Sequence, residues 1–156
     1  MRVTQPDLAA IATSMLTAVP FAQYLGLVVD EVSMDDGVSA TVSMPDDPRL
    51  HNHVAGPHAG AQFTLGETAS GAVVFAAFGG YLDRAVPLTV RSDIAYRKFA
   101  TGALRATARL DRPVADVIAE LDAGQRPEFG VTVEIFRADG APCAQMGVVW
   151  TLRPNR

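Results

Sequence analysis

The chain has 156 residues, of which 49% are hydrophobic and 19% charged. That composition and size suit a single folded domain, exclude intrinsic disorder, and leave no need for metal or disulfide staples. The net charge of −4 excludes nucleic acid as a main partner, because phosphate binding needs a basic patch.

Leu8, Ile11, Ala12, Met15, Leu16 and Val19 recur at the spacing of an amphipathic helix. Pro6 and Asp7 are start signals and Pro20 a stop signal, so residues 1–20 read as a helix appended to one domain spanning 1–156. Pro6, Asp7, Thr13, Ser14 and Thr17 interrupt the apolar core that a signal peptide needs. No apolar run approaches the ~20 residues of a membrane span. A cytoplasmic protein with no membrane partner is therefore expected.

Leu25, Leu27 and Val29 begin a strand, Asp35-Asp36-Gly37 a turn, and residues 38–44 alternate apolar with polar. This is a hairpin with one buried face. Residues 45–57 read as a loop. From His58 to about Leu82 the pattern is helical, but many residues are small, among them Gly60, Gly66, Gly71 and Ala72. Internal glycine costs a helix up to ~1 kcal/mol, so close packing against a curved sheet is the expected compensation.

Period two then returns. Val86, Leu88, Val90, Ser92, Ile94 and Tyr96 are expected on one face of a long strand, and Leu104 to Leu110 alternate in the next. A short helix is expected between Pro113 and Pro127, stopped by Gly124. Two more strands follow, from Val131 and from Ala144 to Leu152, around a turn at 138–140. Short connections imply an antiparallel sheet with the long helix lying across it, an α+β fold.

The three histidines, His51, His53 and His58, fall within eight residues, and Glu67 is the only carboxylate on the long helix before Asp83. An acid amid leucine, alanine and glycine needs a reason to be there. Either Glu67 serves chemistry, or it is a satisfied structural carboxylate at a subunit contact. The histidine spacing matches no common zinc motif, so no metal is expected. There is no G-x-S-x-G elbow, and Cys143, the sole cysteine, lies on a strand far from any histidine in sequence. No nucleotide-binding glycine fingerprint is present.

The run Asn52-His-Val-Ala-Gly-Pro-His58-Ala-Gly60, followed by Glu67 and Ser70-Gly71, resembles the hot-dog thioesterase superfamily, in particular its phenylacetic-acid-degradation branch. Two departures stand out: His58-Ala59-Gly60 replaces the branch's H-G-G, and glutamate stands where the branch more often has aspartate. The resemblance implies a hot-dog fold, a long helix wrapped by a curved antiparallel sheet. It also implies acyl-CoA hydrolysis with no cofactor beyond the CoA of the substrate. Ala59 would give its backbone N–H to the carbonyl oxygen, beside Gly60 on the substrate side, where the helix dipole favours an oxyanion. Asn52 would donate to or orient the thioester, His58 would brace the loop, and Glu67 would be general base or nucleophile. Thr89 matches a water-orienting hydroxyl, or is an ordinary strand threonine. Arg97 and Lys98 meet CoA phosphates, or sit at a solvated strand end.

His58 and Glu67 are nine residues apart, about 900° of helix rotation and ~13 Å of rise, so one helix points them in opposite directions. A site shared between subunits resolves this, as the homodimer or dimer of dimers implied by the resemblance would provide. His53 and Glu67 have the offset of a hydroxyacyl dehydratase of the same fold, but Ala61-Gln62 stand where those enzymes carry Pro-Gly. A non-catalytic acyl-CoA-binding module is the remaining alternative; it would dispense with Glu67.

Overall fold

Apolar alternation in six segments builds one sheet. The computed structural model describes residues 8–156, so Pro6 and Asp7 lie outside the described residues. Helix α1 (Leu8–Thr17) and the short α2 (Pro20–Tyr24) precede strands β1 (Val28–Ser33) and β2 (Ser39–Met44). A single 3-10 turn (Pro48–Leu50) leads to the long helix α3 (Ala59–Phe78). Strands β3 (Ala85–Tyr96) and β4 (Leu104–Leu110), helix α4 (Val114–Asp122), and strands β5 (Glu128–Arg137) and β6 (Pro142–Pro154) complete the chain. The sheet order is β1-β2-β4-β5-β6-β3, and every pairing is antiparallel. Helix α3 touches all six strands. This is the hot-dog arrangement. No described helix is long and apolar enough to cross a membrane.

The helix sits low because small residues meet from both sides. Ala106 and Ala108 of the central strand β4 are wholly buried, in register with Val42 and Ala40 on one side and Ile135 and Val133 on the other. On the helix, a Cβ added at Gly66 would lie 2.6 Å from the Met146 sulfur, so glycine there lets α3 rest on the sheet. Seven successive residues, Thr68 to Val74, are buried. A helix buried all round needs a second cover, and α1 packs on α3 to supply it.

Three expectations are corrected. The α-helix ends at Phe78 and continues as a 3-10 turn, Gly79–Tyr81. Pro20 does not merely end α1; it opens α2, in the first-turn position that suits proline, and Leu25 and Leu27 are buried in the turn before β1 rather than in a strand. Third, Val86, Leu88 and Val90 do not share a face with Ser92, Ile94 and Tyr96. Thr89 pairs with Trp150 and Arg91 with Val149, leaving Val90 as the extra residue of a β-bulge. A single inserted residue exchanges the two faces of the strand. Pro87 and Thr89 therefore lie opposite the buried Leu152 and Trp150, and Ser92 and Ile94 opposite Val148 and Met146. Strand β3 is also an edge, twelve residues long, with Leu88 36% and Val90 41% exposed.

Candidate active site

The start of α3 is prepared by a loop whose ends are tied together. His58 N–H donates to the Leu50 carbonyl at 2.8 Å and Asn52 N–H to that of Gly56 at 2.7 Å. Asn52 Oδ1 accepts from the N–H groups of Val54 (3.0 Å) and Gly56 (3.1 Å), an Asx turn that carries Ala55 into the left-handed region at φ 58°. Those donors fix which side-chain atom is oxygen, so Nδ2 of Asn52 is left as a donor with no acceptor among the described residues. Gly56 is required by close approach: a Cβ would stand 2.7 Å from the Ala100 carbonyl oxygen.

His58 is the N-cap of α3, its Nδ1 accepting from Gly60 N–H at 2.8 Å. The backbone donor of Gly60 is thereby engaged inside the cap. The Ala59 N–H has no acceptor among the described residues, as expected for the first N–H of a helix. Tyr96 locks this turn by donating its hydroxyl to the Ala59 carbonyl at 2.8 Å, and partial desolvation pushes its phenol above the ordinary value. Gln62, almost fully buried, donates Nε2 to the Pro57 carbonyl at 3.1 Å and leaves Oε1 buried without a partner. Asn52, Ala59, Gln62, Tyr96, Arg97 and Lys98 line one cavity of about 360 Å³. Arg97 and Lys98 are exposed; their N–H groups both reach the Cys143 carbonyl, and the Arg97 guanidinium reaches Gln145 at 2.9 Å. Four residues named from sequence thus converge, and Tyr96 and Gln62 join them as residues whose part the sequence did not reveal.

Glu67 stands elsewhere. It lies about 12 Å further along the helix axis than Ala59, in a separate cavity of about 230 Å³ between α3, β3, β6 and the α1–α2 segment. Its carboxylate has no hydrogen bond or ion pair among the described residues, and burial alone pushes its pKa above the usual carboxylate range. The wall is fixed by a relay: the Trp150 indole N–H donates to Ser70 Oγ at 3.0 Å, and Ser70 donates to the Glu67 carbonyl at 2.6 Å. Thr89 pairs with Trp150, on the face of β3 that looks toward this cavity. It is exposed, and no hydrogen bond joins it to Glu67.

The other candidates separate. His51 pairs with Asp46 at 2.8 Å, His58 caps the helix, and His53 is exposed. Among the described residues no three His, Cys, Asp or Glu side chains gather to hold a metal. Cys143 is buried, contacts the Ile135 carbonyl at 3.4 Å, and has its thiol pKa raised by burial, the state of an unreactive core cysteine.

The sequence matches the domain of unknown function DUF4442 over residues 9–152. The chain belongs to that family. No curated protein sequence matches it significantly. In structure, this DUF4442 chain is similar to a Pseudomonas aeruginosa protein of unknown function described as a probable thioesterase, with a TM-score of 0.81, 24% identity and coverage of 94% of this chain and 95% of that one. A thioesterase family protein from Silicibacter pomeroyi superposes with a TM-score of 0.73 at 22% identity, covering 95% and 99%. The Escherichia coli PaaI protein, from the phenylacetic acid degradation operon, gives 0.69 at 20% identity, covering 94% and 92%. These likenesses establish that the DUF4442 chain has the fold of those proteins.

Proposed function

We propose that this DUF4442 chain is an acyl-CoA thioesterase that works as a homodimer or a dimer of dimers, with each site built from two subunits. The observation that carries the reading is Glu67: an unpartnered carboxylate in an apolar cavity, its pKa raised, as a general base operating near neutrality requires. The names of the structural neighbours point the same way.

Thioester hydrolysis needs donors where the carbonyl oxygen becomes an anion, and a base for the attacking water. The Ala59 N–H at the positive end of α3 supplies the first, and Asn52 Nδ2 a second donor beside it. Glu67 takes a proton from water as the oxygen attacks the carbonyl carbon; the C–S bond then breaks and the same proton passes to the departing sulfur, giving the acid, CoA and the free carboxylate. Arg97 and Lys98 on the rim of the donor cavity contact the CoA phosphates. Thr89, paired with Trp150 of the cavity wall on the neighbouring strand, orients the water at the mouth of the cavity. No cofactor other than the CoA of the substrate enters these steps, and the cytoplasm is where such a substrate is met.

The donors and Glu67 open onto different cavities of one chain. The exposed β3 edge accounts for how they meet: a long apolar edge strand calls for a pairing partner, and a second copy of β3 across a twofold axis satisfies it. The donor end of one subunit then faces the Glu67 cavity of the other. The test is hydrolysis of a series of acyl-CoAs, read by release of free thiol, for the wild type and Glu67→Gln. The variant keeps size and loses the base, so a fall of about 10²-fold or more is expected. Wild-type rates in a folded Gln variant would sink the mechanism.

A further inference from the structure

We infer that the cavity beside Glu67 is the acyl-binding pocket, that it selects apolar acyl groups of medium size, and that α1 and α2 set the limit. The inference rests on the thioesterase reading and goes on to name the substrate class.

The first argument is chemistry. The α1–α2 wall presents Ala12, Leu16, Val19 and Ala22, and the α3 side presents Gly71 and Ala72. None of these side chains can donate or accept a hydrogen bond. The one indole N–H in the wall, that of Trp150, is already engaged by Ser70. Polar side-chain groups come only from Glu67 and its neighbour Thr68. An acyl chain bearing hydroxyl or carboxyl groups would lose its hydration there without replacement, whereas an alkyl or aryl chain would not.

The second argument is size. The cavity holds about 230 Å³, against the ~150 Å³ of a dry engineered cavity that takes up benzene. In that proportion it accommodates roughly nine non-hydrogen atoms, which is an octanoyl or phenylacetyl group. A sixteen-carbon chain does not fit unless α1 moves away. The third argument is position. Ala12 and Ala22 are buried and Leu16 half-buried, so the α1–α2 segment roofs the space over α3, and its residues are where the volume can be changed with least damage to the sheet.

The experiment compares the wild type, Leu16→Trp and Leu16→Ala on acetyl-, octanoyl- and palmitoyl-CoA. Binding of octanamide, a neutral eight-carbon probe, is measured by calorimetry on the same proteins. In the wild type, kcat/KM for octanoyl-CoA should exceed that for palmitoyl-CoA at least tenfold. Leu16→Trp should lower the octanoyl-to-acetyl ratio at least tenfold, a size that one misfitted hydrophobic contact supports. Leu16→Ala should shift the optimum toward longer chains, so the two substitutions test the wall in opposite directions even if one of them folds poorly. Hydrolysis with a palmitoyl optimum, or with ratios untouched by either substitution, overturns the pocket and leaves the thioesterase reading standing. If no thioester is cleaved, octanamide binding that Leu16→Trp abolishes supports the pocket while the hydrolase reading falls. No octanamide binding in an inactive protein overturns both.

Discussion

The two ends of the first half of α3 differ in kind. At the N-terminus nearly every polar atom has a partner: Asn52 holds two backbone amides, His58 caps Gly60, and Tyr96 holds the Ala59 carbonyl. What remains unpaired there among the described residues is two donors, the Ala59 N–H and Asn52 Nδ2, and one buried acceptor, Gln62 Oε1, in a rigid frame. Two turns on, Glu67 has no partner and apolar neighbours. Rigidity fixes where an anion can sit, and isolation raises the proton affinity of the acid. An oxyanion site needs the first condition and a general base the second. One helix therefore provides two environments that would spoil each other if merged, since donors around Glu67 would lower its pKa.

The sharpest way to break this comparison is to separate the two ends between subunits. Glu67→Ala and Asn52→Ala proteins should each be nearly inactive. Unfolded and refolded together in equal amounts, about half the dimers should be mixed, with one site carrying both lesions and the other neither. Activity should return to about a quarter of the wild type. Mixed dimers isolated without activity would show that the two ends do not cooperate across an interface.

A smaller effect separates the histidines. His58→Ala removes the cap and should cost about 1 kcal/mol, or roughly 2–4 °C in Tm for a domain this long. Hydrolysis should fall with it, because the Ala59 amide loses its frame. His53→Ala, at an exposed position, should stay within about 0.5 kcal/mol and keep its hydrolysis rate. Loss of water from a 3-hydroxyacyl substrate that stops in the His53 variant would instead identify a dehydratase.

The smallest effect concerns Glu67 itself. Its folded pKa lies above the unfolded value, so the stabilisation linked to its proton is complete below about pH 4.3 and disappears as pH rises through the raised pKa. Glu67→Gln should therefore melt above the wild type at pH 7, and the gap should close as pH falls through the raised pKa, vanishing by about pH 4.3. Wild-type hydrolysis should decline over the same range as the base becomes protonated. A Gln variant less stable than the wild type at pH 7 would mean that the carboxylate has a stabilising partner after all.

Much of this was legible in the residues. Strict alternation in β2 and β4, and alternation over most of β5, revealed the sheet, because a half-buried strand cannot hide its period. The isolation of Glu67 was visible in its alanine and glycine neighbours. The bulge at Val90 was not, since an inserted valine prolongs the apolar alternation while reversing what it means. Nor was the part of Tyr96, whose contact with Ala59 spans 37 residues and leaves no local mark. Gln62 offered one signal that could have been used: a glutamine four residues into a helix of small apolar residues, on the side that turns inward.

Trp150 has a practical consequence for this protein. It is the chain's sole tryptophan, and its ring forms part of the wall beside Glu67. Its ultraviolet emission therefore comes from one place, with the indole N–H held by Ser70. Any molecule entering the cavity replaces solvent against that ring and changes the colour and yield of its light. The protein thus carries its own optical gauge of occupancy, readable without label, turnover or knowledge of the ligand.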